Sequence, residues 1–216
     1  MTPRAAAMAP DDRRRAILDV LVPLLVEKGG DVSTRELAKA AGIAEGTIFR
    51  VFPDKRSLML AAVEETINPT AAQADFDAAV AGAEGLRAQV VAVTARVLER
   101  MRLTMTVMMA VRQHLMALHA ERGAGGAGGA APGAPDHKRG FGPPPFVLRA
   151  QEELHGRLTG LFERHRDELA AEPSVAALAL RSLILGASRP ELGPSPTLTP
   201  DQIADLLLDG VRRRDS

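Results

Sequence analysis

The sequence predicts an all-α fold, on three observations. Alanine, arginine and leucine, all good helix formers, are abundant. Alternating apolar and polar runs of the strand type are nearly absent. Apolar residues recur instead at helical spacing, as in Leu86, Val90, Val93, Val97 and Met101, which are 4, 3, 4 and 4 apart. At 216 residues the chain suits one small domain followed by a medium one.

The N-terminal elements can be justified one by one. Helix 1 carries Ile17 and Leu18 and ends at Glu27-Lys28-Gly29. Pro23 falls inside it, removes one backbone bond and crowds the carbonyl of Asp19, so a kink is expected. Ser33 and Glu36 form a capping box, with Val32 and Leu37 at staple positions, so a second helix starts near Thr34. It buries Leu37, Ala38 and Ala41. Gly42 ends it, since glycine takes the left-handed conformation of a helix C′ position without steric cost. A third helix spans Glu45 to Phe52. Ile48 and Phe52, four apart, share its buried face with Phe49 beside them. Glu45, Gly46, Thr47 and Arg50 are left outside. Pro53 stops this helix, and Asp54 caps the next, which turns Leu58, Met59, Ala62 and Val63 inward.

Two short helices around a glycine turn are the punctuation of a helix-turn-helix, whose second helix lies in the DNA major groove. Residues 13–65 further resemble the DNA-binding domain of the TetR family of bacterial repressors. The likeness runs through Ile17, Leu18, Glu27-Lys28-Gly29, Thr34, Leu37, Ala38, Ala41-Gly42-Ile43, Gly46-Thr47-Ile48-Phe49, Phe52, Lys55 and Leu58. The chain departs from the family pattern at three points. Ala44 stands where a small hydroxyl residue usually caps the recognition helix. Phe49 and Val51 replace the tyrosine or histidine that often contacts phosphate, and neither can donate a hydrogen bond. Pro23 replaces an ordinary helix former. The resemblance and the local pattern together assign DNA contact to Thr34, Lys39, Glu45, Gly46, Thr47, Arg50 and Lys55, with phosphate grip resting on Thr34, Lys39, Arg50, Lys55 and backbone N–H groups.

Helices continue through the second part. Helix 4 ends near Ile67, because Asn68-Pro69 breaks it. One helix carries the Leu86–Met101 repeat, another runs from Thr104 to about Ala120, and a long one runs from Phe146 to about Ala171. Between them Gly123 to Pro145 holds eight glycines and five prolines, which predicts a flexible loop. Val175 to Ala187 is apolar nearly all round, so both faces should be buried. Thr199-Pro200-Asp201-Gln202 is a capping box with proline at the first helical position. The stripe Ile203, Leu206, Leu207, Val211 follows it.

In the TetR family the final helix pair packs against its twin in a four-helix bundle. This implies a homodimer through Leu178, Leu185, Ile203, Leu207 and Val211, and two recognition helices one DNA turn apart on a roughly palindromic operator. The family also implies an effector pocket in the larger domain. Five methionines crowd residues 101–116, and methionine suits adaptable apolar pockets. The expected lining is Met101, Met105, Met108, Met109, Arg112 and Phe162, with His114 as a further polar candidate.

Other chemistry is poorly supported. Residues 1–67 hold ten basic and ten acidic residues, and the whole chain has a net charge of +0, so no strongly basic footprint marks it. Arg13-Arg14-Arg15 and Lys55-Arg56 are local clusters at helix starts. Glu152-x-x-His155 has di-iron spacing, but the second such pair is missing. No Gly-x-Ser-x-Gly turn and no phosphate loop is present. No enzyme, metal or cofactor is therefore expected. Absent cysteine fits a reducing compartment, and no signal-peptide core or membrane span is visible, so a cytoplasmic location is expected. The sum is a helix-turn-helix DNA-binding domain at 11–58 and a helical effector-binding and dimerisation domain at 59–215. Together they predict a repressor released by a small apolar effector. The competing reading is a helix-turn-helix dimer governed by a protein partner that docks on the Gly/Pro loop.

Overall fold

The computed structural model describes residues 9–124, 145–188 and 198–211, and these are predominantly helical, without strands. The elements are α1 (Pro10–Lys28), α2 (Thr34–Ala40), α3 (Glu45–Val51), α4 (Lys55–Thr66), α5 (Pro69–Ala81), α6 (Gly85–Ala124), α7 (Pro145–Glu163), α8 (Pro173–Ala187) and α9 (Pro200–Val211). The chain divides into two compact units, residues 1–66 with 103–140, and residues 67–102 with 141–216. Helix α6 is thus shared, its residues to Arg102 counting with the second unit and those from Leu103 with the first. No helix among the described residues is long and apolar enough to cross a membrane.

In the first unit, α1 turns Ile17, Leu18, Leu21 and Leu25 inward, and the helix continues through Pro23. Val32, Leu37, Ile48, Phe52, Leu58 and Met59 complete the centre of the head. Full burial of each such side chain is worth about 1.5–3 kcal/mol before ordering costs. The later part of α6 adds Val107, Ala110 and Val111 to the buried set. Its approach explains Gly30. A Cβ there would lie 2.5 Å from the Ala110 carbonyl oxygen and 3.0 Å from the His114 nitrogen.

The second unit packs α7 on α8 and α8 on α9. Phe76, Leu86, Val90, Val93, Leu158, Leu161, Phe162, Leu180 and Ile184 are among its buried residues. Arg87 reaches from α6 to Asp205 at 2.8 Å and Asp201 at 3.1 Å on α9. Exposed pairs of this kind are screened by water and fix orientation more than they stabilise.

Several elements differ from expectation. Asn68-Pro69 ends α4 but also begins α5. The Asn68 side chain accepts from the Thr70 N–H at 3.0 Å, and proline is well suited to the first helical position. The two helices expected over 86–120 are one, since Arg102 and Leu103 are helix formers and nothing interrupts them. Helix α7 stops at Glu163 instead of reaching Ala171. Arg166 turns back on Glu163 with two bonds of 2.9 Å, and Ala170 donates its N–H to the Val211 carbonyl at 2.8 Å. The second capping box forms, with Thr199 N–H to Gln202 at 2.9 Å and Gln202 N–H to Thr199 at 3.2 Å. Of the loop expected at 123–145, residues 125–144 lie outside the described residues, while Gly123 and Ala124 still belong to α6 and Pro145 opens α7.

Candidate nucleic-acid interface

The local geometry of α2 begins with its cap. The Ser33 hydroxyl accepts from the Glu36 N–H at 3.1 Å, and the Glu36 carboxylate accepts from the Ser33 N–H at 3.0 Å. Lys28 adds an ion pair to Glu36 at 3.0 Å. The Ser33 N–H foremost, then the Lys28 ammonium and the Ser33 hydroxyl, hold the Glu36 carboxyl down at about 2. Helix α2 then ends at a glycine with φ +65°, Gly42. The Ile43 N–H bonds the Ala38 carbonyl at 3.0 Å, which closes the turn into α3.

Helix α3 is anchored from behind. Ile48 and Phe52 are fully enclosed, and the Arg14 guanidinium sits 4.8 Å from the centre of the Phe52 ring. Arg14 also lies 3.8 Å from Glu64, an exposed pair at the surface of the head. Ala44 occupies the N-cap without a side-chain bond. The Thr34 hydroxyl donates to the Glu45 carboxylate, which ties the starts of α2 and α3 together.

The residues predicted for DNA contact fall in different surroundings. Glu45, Gly46 and Arg50 are exposed on α3, Thr47 is half-buried beside them, and Lys39 is exposed on α2. Arg50 makes no ion pair among the described residues, so its five donors are open to a partner. Thr34 and Glu45 are engaged with each other. Lys55 is half-buried, and burial lowers its ammonium pKa against the pull of Asp31 and Glu36. Asp54 caps α4 by accepting from the Ser57 N–H at 2.6 Å, which holds its carboxyl below the ordinary range.

Phe49 corrects the sequence reading. The sequence places it beside the buried face, yet it is 45% exposed. Each helical residue turns about 100°, so Phe49 swings away from Ile48 toward the side of Gly46 and Arg50. Helical geometry alone predicts that turn; aromatic character argues against it, and geometry prevails.

The predicted effector lining is not brought together. Phe162 is enclosed in the core of the second unit, and Met101 packs against that core. Met105 and Met108 are exposed. Met109 and Arg112 instead line an open groove of about 630 Å³ in the first unit, with Leu25, Val26, Thr106 and Met116. The cause is the single long α6, which carries residues 103–116 into the first unit rather than the second.

The predicted dimer face also needs correction. Ile203 and Leu207 are enclosed in their own chain, together with Ala204 and Leu208, and Val211 packs at the edge of that core. Leu178 and Leu185 are exposed, and so are Val175 and Leu206. Within its own chain, helix α8 is therefore buried on one face and exposes the other.

Among the described residues, no three His, Asp or Glu side chains converge in a way that could hold a metal ion. The geometry offers a rigidly held short helix with a polar outward row and one exposed ring. Comparison with known proteins bears on this head. Residues 17–62 match the model for bacterial regulatory proteins of the tetR family. Nucleoid occlusion factor SlmA of Actinobacillus pleuropneumoniae serotype 5b is 40% identical over 55 residues, covering 24% of this chain and 27% of SlmA. The HTH-type transcriptional regulator EthR of Mycolicibacterium smegmatis is 37% identical over 78 residues, covering 36% and 35%. The chain thus spans about a quarter to a third of the length of these curated relatives. The fold extends further. The TetR transcriptional regulator SCO0520 of Streptomyces coelicolor superposes with a TM-score of 0.53 at 20% identity, over 92% of this chain and 98% of that one.

Proposed function

We propose, from the match of residues 17–62 to the model for bacterial regulatory proteins of the tetR family, that the chain is a dimeric, DNA-binding transcriptional repressor of that family. Two copies hold a palindromic operator and release it when a small apolar effector binds. The observation that carries this reading is the outward row of α3, Gly46, Thr47 and Arg50, on a helix locked from behind by Ile48 and Phe52. Arg50 supplies the fork that pairs with a guanine edge, and Thr47 flanks it. Lys39, Thr34 and Lys55 lie on neighbouring elements and serve the phosphates.

A monomer reads only one half-site, so the second copy is part of the proposal. Val175, Leu178, Leu185 and Leu206 form its contact, being apolar, exposed and carried by α8 and α9. Effector binding is assigned to the open groove with Met109 and Arg112, whose apolar lining of Leu25, Val26 and Met116 suits an apolar molecule. A ligand seated there needs to favour the DNA-incompetent state by about 1–3 kcal/mol to act as an ordinary allosteric switch.

The test is to sequence genomic fragments retained by the purified protein. A two-fold symmetric sequence, bound by a dimer in sedimentation, is the expected result. Fragments without a shared motif would defeat base reading. An asymmetric motif bound by a single chain would defeat the dimer.

A further inference from the structure

Phe49 is the one large apolar side chain that α3 exposes, whereas Ile48 on the same helix is fully enclosed. Leaving a ring in water forgoes the stabilisation that burial gives. Among the described residues no cation lies over this ring, the single such pair being Arg14 with Phe52. A phenyl group has no hydrogen-bonding atom, so it cannot hold a phosphate. In the major groove the apolar feature of the base edges is the C5 methyl group of thymine.

We infer that Phe49 is a specificity-determining residue that packs on the C5 methyl of a thymine in each operator half-site. This rests on the reading of α3 as the recognition helix. Gly46, one turn earlier, leaves the flank of the ring open, since a Cβ built there would meet nothing within 4 Å. Gly46 has no positive φ and no crowding neighbour to require it. Its missing side chain serves approach from outside the chain. Arg50, the next residue along, is exposed as well, so α3 offers an apolar group and a polar fork to solvent.

The experiment uses the operator recovered by selection, resynthesised with deoxyuridine in place of thymine at one symmetric pair of positions at a time. This deletes the methyl group and leaves the pairing edge intact. At one pair the wild-type protein should lose affinity by about fourfold per half-site, the worth of burying one methyl group. Phe49→Tyr, which keeps the ring, should keep that loss. Phe49→Ala should bind the thymine and deoxyuridine operators equally, which is the non-additivity expected of groups in contact. A wild-type protein indifferent to deoxyuridine at every position overturns the inference while leaving DNA binding intact. So does an equal deoxyuridine penalty in Phe49→Ala. A protein that selects no DNA sequence overturns the inference together with the reading beneath it. The scan with wild-type protein needs no variant, so a folding defect in Phe49→Ala would not shield the inference.

Discussion

At the scale of single residues, the head separates groups that hold it from groups that reach outward. Arg50→Ala removes a side chain without an ion pair among the described residues, so stability should stay within about 0.5 kcal/mol while operator discrimination falls by about 1–3 kcal/mol. Competition binding with one-base operator variants reads that out, and unchanged discrimination would remove Arg50 from the base contact. Gly46→Ala should act in opposite directions on folding and binding. A helical glycine costs about 0.5–1 kcal/mol relative to alanine, and the added methyl has open space within the chain. Melting temperature should therefore rise while operator affinity drops; a rise in both would show that DNA does not approach there. Glu36 gives a pH dependence. Its carboxyl sits at about 2 against an ordinary 4.5, so its contribution to stability is complete above pH 4.5 and fades as pH falls toward 2. Thermal melts across that window should lose this component of acid sensitivity in Glu36→Ala.

Among elements, the final helices give the sharpest contrast. Neighbouring residues Leu206 and Leu207 face opposite ways, one 57% exposed and the other enclosed. Leu207→Glu places an unpaired charge in the core and should cost at least about 3 kcal/mol of folding stability. Leu206→Glu should leave the fold intact, give a monomer in sedimentation and weaken operator binding roughly a hundredfold or more through the absence of avidity. An intact dimer in Leu206→Glu would move the interface elsewhere. Sequence reading could not make this distinction, because the stripe Ile203, Leu206, Leu207, Val211 is periodic whichever side packs inward. Where side-chain chemistry acts over three or four residues, legibility was high. The boxes at Ser33-Glu36 and Thr199-Gln202 and the turn at Gly42 formed as their residues imply. Where the answer depended on distant partners, legibility failed. Nothing near Met101 or Met109 says which unit each methionine joins, and nothing near Phe146 says that Arg166 will turn back to Glu163.

For the whole molecule, electroneutrality sets the terms of DNA encounter. With 27 basic and 27 acidic residues, the chain carries no net charge to draw a polyanion from a distance. Association with the operator should proceed at an ordinary unsteered rate of about 10⁵–10⁷ M⁻¹s⁻¹ and change little with salt. Dissociation should carry most of the salt dependence, since phosphates bound at close range still release counterions. Lys55→Ala should lower the slope of log affinity against log salt by ~0.9 for each phosphate that Lys55 neutralises, measured by titration at several salt concentrations. A steeply salt-dependent association rate would reveal a basic surface that net charge conceals.

The shared helix α6 also bears on how such a protein can be recombined. The matched stretch at 17–62 is contiguous, but the compact unit around it is not, because residues from Leu103 onward complete it. Val107, Ala110 and Val111 are enclosed there, and Gly30 accepts no side chain because Ala110 and His114 press against it. A crossover placed just after Thr66 would hand a recipient the reading head without the helix segment fitted to it. Heads should therefore transplant between homologues only when the segment near 103–116 travels with them. In lineages that exchanged heads, inheritance would show two linked tracts separated by unrelated sequence.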